Sequence, residues 1–416
     1  MIRIAVCNWS NRRVGGTEAY LGNVTRYLHH HGFAVSLFHE MDRPVDRELI
    51  ALPWGTPTWC VETLGRTRAV EALREWRPDV VYTNIIESLD LEAELIGIAP
   101  TVFDAHAFYG TCVGGHKCFK FPEPTPCTRT FGWKCLLHYY PRRCGGLSPV
   151  TMIQRYRHER TRHALLPRYA AVITHSDFMR AEYIRHGVQP GRAFNVSAGL
   201  FDNLTSPTLS PGSASAVKEP PPGSRDAASR PVQLLFVGRM DLLKGGHYLI
   251  RALPRIRASL GRDVALVLAG EGPARAEWER LSRKLVAADS GCRVDFPGWV
   301  SGDALDALYA AADLLVVPSL WPEPFGRIGL EAGRHGLPAA AYAVGGIPDW
   351  LTDGLNGHLA SGSPPSVEGI AEAVTRCLQD PMHHAQLRRG AAVQAEKGGT
   401  GGSWPMLLDI FHAVGK

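Results

Sequence analysis

Leu314-Leu315-Val316-Val317-Pro318-Ser319-Leu320-Trp321-Pro322-Glu323-Pro324-Phe325-Gly326-Arg327-Ile328-Gly329-Leu330-Glu331-Ala332-Gly333-Arg334-His335-Gly336-Leu337-Pro338-Ala339-Ala340-Ala341 is the stretch on which the fold turns. The aliphatic run that ends at Pro318 predicts a strand buried on both faces. Pro324 suits a first helical turn and Gly326 permits close backbone approach. A helix is therefore expected over Gly326–His335, ending near Gly336 with Pro338 beyond it. Ala339–Ala341 then reads as the next strand, so the stretch is one crossover of a parallel sheet.

The alternation extends in both directions. Upstream lie strand Val232–Val237, helix Gly246–Arg257, strand Ala265–Ala269, helix Ala274–Val286, strand Arg293–Phe296 and helix Ala304–Ala311. Leu249, Ile250, Leu253 and Ile256 mark one face of the first of these helices. The first half repeats the pattern, with strands Arg3–Cys7, Val35–His39, Val80–Asn84, Thr101–Asp104 and Ala171–Thr174. A helix is expected over Thr17–His31, where Tyr20, Val24, Tyr27 and Leu28 share a face. Between the halves, 18 of the 29 residues from Asn203 to Pro231 are Pro, Ser, Gly or Ala and none is aromatic. Such a composition reads as a flexible linker.

The expected fold class is α/β, with two Rossmann-like domains facing a cleft, because open α/β sheets bind ligands beyond the carboxyl ends of their strands. The first domain spans 1–202 with a Cys-rich insertion at 107–150, the linker 203–231 and the second domain 232–395; residues 396–416 hold a terminal helix.

The chain has 416 residues, 45% hydrophobic and 20% charged, which fits two or three folded domains and excludes a wholly disordered chain. Its opening, Met1 to Ser10, reads as a first strand rather than a signal peptide, and no apolar stretch approaches the ~20 residues of a membrane span. A net charge of +5 does not by itself point to nucleic acid, and none is expected as a partner. The charge is uneven, however, with eleven Lys and Arg against two acids between Ala105 and Arg168. Nine cysteines, an odd number, argue against a fully paired secreted framework and fit a reduced, cytoplasmic chain.

Three places carry candidate chemistry. Gly15-Gly16-Thr17-Glu18 opens a helix, where backbone amides and the helix dipole favour an anion; a plain turn is equally compatible. Arg239 and Lys244, at a strand-to-helix junction, suit one pyrophosphate as a bidentate fork and a point charge, or else are two solvated cations. Glu323 and Glu331 are acceptor-only when ionised and suit sugar and ribose hydroxyls; a dipole-helping acid and a helix-surface acid are the plainer alternatives.

Taken in order, Val237-Gly238-Arg239, Lys244-Gly245, Gly270-Glu271-Gly272-Pro273, Pro318-Ser319, Glu323-Pro324-Phe325-Gly326 through Glu331-Ala332, Gly336-Leu337-Pro338, Gly345-Gly346-Ile347-Pro348 and Asn356-Gly357 resemble the donor-binding domain of retaining glycosyltransferases of family 4, of the GT-B fold (glycosyl transferases group 1). The first half resembles that family more weakly, through Gly15 to Glu18, His106, Thr174-His175-Ser176 and Gly199. The resemblance implies a metal-independent, retaining transfer of a hexose from a nucleoside diphosphate sugar to a hydroxyl of a glycan, a lipid-linked sugar or a small molecule. It assigns Arg239 and Lys244 to the diphosphate, Glu323 to the sugar, Glu331 to the ribose, and the amides of Phe325 and Gly326 to phosphate or sugar. Gly15, Gly16, Gly270 and Gly272 join them as donor-binding positions, and His106, Arg239, Lys244 and Glu323 are the expected catalytic set. No Asp-x-Asp sequence occurs, and neither a metal nor a cofactor beyond the sugar nucleotide is expected. The resemblance also implies that the apolar segment from Trp404 to Val414 crosses back to the first domain. A GT-B sugar-phosphate synthase or phosphorylase, and an inert sugar-nucleotide-binding partner of an envelope assembly complex, are the alternatives; an inert copy has no need of all four of Arg239, Lys244, Glu323 and Glu331.

Two features stay open. Cys112, Cys118, Cys127, Cys135 and Cys144, with His116 and His138 nearby, lack the short Cys-x2-Cys spacing of a zinc knuckle, so a metal site, thiols and disulfides all remain readings. Arg155, Arg157, Arg160, Arg162 and Arg168, with Met152, Tyr156 and Tyr169, suit contact with anionic lipid at the inner face of a membrane, or simply a solvated basic helix.

Overall fold

A computed structural model describes residues 1–197, 199, 230–399 and 404–415. The segment read as a linker, 203–231, lies outside these up to residue 229. The described residues form two compact units: 1–116, 129–199 and 404–415 make the first, and 117–128 and 230–399 the second. The short 117–128 stretch thus groups with the second unit although it lies inside the Cys-rich insertion.

In the first unit, β1 (Arg3–Ser10), β2 (Ala34–Met41), β3 (Thr58–Cys60), β4 (Val80–Thr83) and β5 (Thr101–Asp104) belong to one parallel sheet. An antiparallel ribbon of the second unit follows in the chain, β6 (Cys118–Phe119) with β7 (Thr125–Pro126). The first sheet is completed by β8 (Ala171–Thr174) and β9 (Ala193–Asn195), in the order β3-β2-β1-β4-β5-β8-β9. Ile4, Ala5, Val6 and Cys7 are wholly buried, as a strand covered on both faces requires. One layer is set by Ala69, Val70 and Leu73 of the helix Arg66–Trp76, which pack with Ala5, Cys7, Phe38 and Val81. Burial also pushes the Cys7 thiol up, so it stays protonated and inert. Helix Trp404–Val414 packs in this unit: Trp404 lies edge-on to Tyr20 and Tyr27 at 5.8 and 4.8 Å, and Phe411 to Tyr82 at 5.2 Å.

The second sheet comprises β10 (Val232–Val237), β11 (Val264–Ala269), β12 (Cys292–Gly298), β13 (Leu314–Val317), β14 (Ala339–Tyr342) and β15 (Gly357–Ala360). All neighbours are parallel and the order is β12-β11-β10-β13-β14-β15. This is the doubly wound order with its reversal between β10 and β13, the point where such sheets bind ligands. Strands β5, β8 and β10 coincide with the sequence reading. The helix after β13 starts later than expected, at Ile328 rather than Gly326, and ends at Arg334. Gly326 has φ +90 and so stands outside the helix.

Candidate active site

Lys244 and Glu323 leave the two strands that flank the reversal and meet there. Asp241 accepts from the amides of Leu243 (2.9 Å) and Lys244 (3.1 Å), closing a single 3-10 turn, Leu242–Lys244, that aims the lysine. The following Gly245 is left-handed (φ +70), and a Cβ there would lie 1.8 Å from the Pro318 carbonyl. The turn after β10 is thereby pressed against the loop after β13, and the Leu320 amide donates to the Leu243 carbonyl at 2.7 Å. Across that contact the Lys244 Nζ donates to Glu323 Oε1 at 2.6 Å.

Two more donors converge on the same oxygen, Ser319 Oγ at 2.5 Å and Trp321 Nε1 at 2.9 Å. The ammonium also stands over the Trp321 ring, 5.5 Å from its centroid. Glu323 is 5% exposed, so its charge is held by three donors in a dry setting, where such bonds are strong. Gly345 lets the next loop close over it, and the Gly346 amide reaches the Glu323 carbonyl at 2.7 Å. Sequence reasoning placed Lys244 and Glu323 but assigned no role to Asp241, Ser319 or Trp321. Their signal was position alone, within two to four residues of a candidate charge.

Arg239 is 71% exposed, with Asp241 Oδ2 at 3.7 Å from its Nε, and keeps its fork toward solvent. Glu331 sits in the helix Ile328–Arg334 and accepts from Tyr309 Oη at 3.3 Å. The Phe325 side chain is buried, and its carbonyl accepts from Trp350 Nε1 at 2.8 Å. Gly270 and Gly272 have a packing reason of their own: Cβ atoms there would lie 2.0 Å from the Gly238 carbonyl oxygen and 2.3 Å from that of Met240. They join the turns after β10 and β11. On the same side Cys118 of the β6–β7 ribbon donates its thiol to the Leu320 carbonyl at 3.4 Å, three residues from Glu323.

In the first unit, Gly15 and Gly16 do open a helix, Gly16–His30. The Gly15 amide is already taken by Glu18 Oε2 at 2.8 Å, and Trp9 Nε1 holds the other carboxylate oxygen at 3.1 Å. That helix end therefore carries its own anion. A Cβ on Gly16 would meet nothing within 4 Å, so packing does not demand this glycine.

His106 follows β5 and is grouped with residues that sequence reasoning did not combine. Its Nε2 lies 2.9 Å from Asn84 Oδ1 and its Nδ1 3.0 Å from His175 Nε2, at the end of β8. Asp104, wholly buried, places Oδ1 3.0 Å from His175 Nε2 and 3.8 Å from His106 Nε2. Burial pushes the Asp104 carboxyl up, but the two imidazoles and the Tyr82 hydroxyl outweigh it and hold the group below its ordinary range.

The basic helix, Pro149–Leu165, divides. Arg162 is buried, donates to the Ile86 carbonyl at 2.8 Å and lies over the Tyr109 ring, while the buried Tyr169 donates to Glu92 at 2.7 Å. These two are structural and not part of a solvated or lipid-facing stripe. Arg155, Arg157, Arg160 and Arg168 are exposed.

Two doubly wound parallel sheets, with cations and carboxylates gathered at the reversal of the second, define a GT-B architecture of two Rossmann-like domains. Residues 222–394 match the model of the family described as Glycosyl transferases group 1, and residues 14–199 that of Glycosyltransferase Family 4; the chain belongs to these glycosyltransferases. It is 40% identical over 147 residues to an uncharacterized glycosyltransferase of Methanocaldococcus jannaschii, covering 35% of this chain and 36% of that one. It is 37% identical over 192 residues to the D-inositol 3-phosphate glycosyltransferase of Salinispora tropica, covering 45% and 39%. The chain spans between a third and somewhat over half of the length of the curated relatives it matches. Among solved structures it is similar to Anabaena HepE in complex with UDP and glucose, with a TM-score of 0.66 at 19% identity over 99% of this chain and 100% of that one. Sucrose-phosphate synthase from Thermosynechococcus elongatus gives a TM-score of 0.64 at 22% identity, over 99% of both chains. At these identities the structural likeness establishes the fold. No described helix is long and apolar enough to cross a membrane.

Proposed function

We propose that the protein moves a hexose from a nucleoside diphosphate sugar to an acceptor hydroxyl, with retention of configuration and without a metal on the diphosphate. The observation that carries this reading is the Lys244–Glu323 pair, held by Asp241, Ser319 and Trp321 at the sheet reversal beside the exposed Arg239. The diphosphate would take Lys244 as a point charge and Arg239 as a fork. Its arrival would exchange one anion for another at the ammonium and turn the Glu323 carboxylate toward sugar hydroxyls. Glu331 would accept from the ribose diol, and the amides of Phe325 and Gly326 would serve phosphate or sugar. As the bond from sugar to diphosphate breaks, the growing charge on the leaving oxygen meets both cations. The acceptor oxygen bonds to the sugar on the face that the diphosphate leaves, and its proton passes to the departing phosphate. Relatives named for glycosyl transfer and a fold neighbour solved with UDP-glucose support a uridine donor as the first to try.

The test is a thermal-shift and donor-hydrolysis screen with UDP- and GDP-hexoses. One donor is expected to raise the melting temperature of the wild type and not of Arg239→Ala. No response to any donor from a folded protein would overturn the reading.

For the acceptor, the reading is a lipid-linked one. Trp133, Leu137, Leu147, Val150 and Ile153 are exposed among Lys134, Arg143, Arg155 and Arg157 in the first unit, a mixture that fits an anionic bilayer surface. Co-sedimentation with phosphatidylglycerol vesicles, weakened by salt and absent with phosphatidylcholine, is expected; equal binding to both or to neither would refute it.

A further inference from the structure

We propose that Ser319 is a positioning residue for the transfer, a role that rests on the donor reading above. Its hydroxyl, seconded by Trp321 Nε1, holds the Glu323 carboxylate in place once Lys244 turns to the diphosphate, and leaves Oε2 as the oxygen that meets the sugar. The two carboxylate oxygens have different surroundings. Lys244 Nζ, Ser319 Oγ and Trp321 Nε1 come to Oε1 at 2.6, 2.5 and 2.9 Å, and among the described residues no hydrogen bond reaches Oε2. Oε1 is thus saturated by the protein itself, while Oε2 keeps its lone pairs for a hydroxyl from outside.

The three donors differ in how far they can move. Lys244 is a point charge on a flexible stem, with its side chain 28% exposed, and can follow an arriving anion. Ser319 is 2% exposed and sits at the end of β13 between two tied neighbours. The carbonyl of Pro318 is pressed against Gly245, and the Leu320 amide is bonded to the Leu243 carbonyl at 2.7 Å. The serine therefore stays when the lysine leaves. A buried carboxylate that loses its counter-charge needs other donors, and the hydroxyl and the indole N–H supply them.

A purely structural duty does not account for this hydroxyl. Among the described residues it bonds to the Glu323 carboxylate and to no backbone carbonyl, so it closes no turn and caps no helix. Nor does it hold the loop. The Glu323 backbone is fixed from the other side, where its carbonyl accepts from the Gly346 amide at 2.7 Å and a Cβ on Gly345 would lie 2.3 Å from the same oxygen. Ser319 thus fixes the Glu323 side chain alone, and its loss frees the carboxylate while the loop stays where it is.

The test compares full-length wild type and Ser319→Ala in binding of UDP and GDP and in hydrolysis of the matching hexose donors. Ser319→Ala is expected to bind the nucleoside diphosphate as wild type does, to lose the extra affinity that the hexose brings, and to hydrolyse the donor ~10–10²-fold more slowly, the size of loss that misplacement of a group causes. Unchanged hydrolysis by folded Ser319→Ala overturns the proposal and leaves the donor reading standing. An equal fall in diphosphate affinity also overturns it, because the serine would then act on the cation site. If folded wild type binds neither diphosphate, the donor reading itself fails and takes the proposal with it. Should Ser319→Ala not fold, Trp321→Phe, which keeps a ring beneath the ammonium and removes the N–H, is held to the same outcomes.

Discussion

Lys244→Ala and Glu323→Gln test the same contact from opposite ends. Alanine removes a cation from the proposed diphosphate site and leaves the Glu323 charge with two donors instead of three. Turnover is expected to fall ~10²–10³-fold, the size found when a preorganised donor to developing charge is lost. Glu323→Gln keeps the shape and removes the charge, and a comparable loss is expected with circular dichroism unchanged; near-normal rates in either variant would remove the pair from catalysis. His247, in the first turn of the helix that follows Lys244, offers a pH test of stability. Burial, helped by Arg251, holds its pKa down at about 4 against an ordinary 6.5. A proton therefore favours the unfolded chain, and the stabilising contribution is complete above about pH 6.5 and lost as pH falls toward 4. The stability advantage of wild type over His247→Gln is expected to shrink across that window in urea unfolding; a constant gap would contradict it.

Glycines separate loops that hold the structure from loops left open. Gly270 has φ +141, and a Cβ there would sit 2.0 Å from a carbonyl oxygen. Gly270→Ala is expected to cost about 2–4 kcal/mol in denaturant unfolding. Gly16→Ala meets nothing and is expected to change stability by under ~0.5 kcal/mol. Both positions read alike in the sequence, as glycines near a strand-to-helix junction, because close approach between loops depends on partners 30 or more residues away. Strands were easier to read. In β13 every residue is buried and in β10 four of six, so an apolar run, broken in β10 only by Gln233, marks them. The short β3 and β9 lie at opposite edges of the first sheet, partly exposed, and carry no such run.

The chain consists of two units with separate sheets and separate cores, and substitutions are expected to act on one at a time. Trp404 is 4% exposed and packs on Tyr20 and Tyr27 of the first unit. Trp404→Ala is expected to lower the stability of that unit by about 3–5 kcal/mol while the second unit keeps its donor-induced thermal shift. Loss of that shift as well would show that the two units unfold as one.

From the sequence alone came the α/β class, the two-domain plan, the sheet-reversal loops and the family, since aliphatic runs, helical periodicity and glycine-rich turns are local and repeat along the chain. The tertiary structure alone decided that Ser319, Trp321 and Lys244 share one oxygen of Glu323, that Arg162 lies inside, and that Asp104, His106 and His175 converge. Those facts depend on which strands become neighbours, and neighbours in a parallel sheet are joined by crossovers too long for sequence spacing to reveal which side chains will meet.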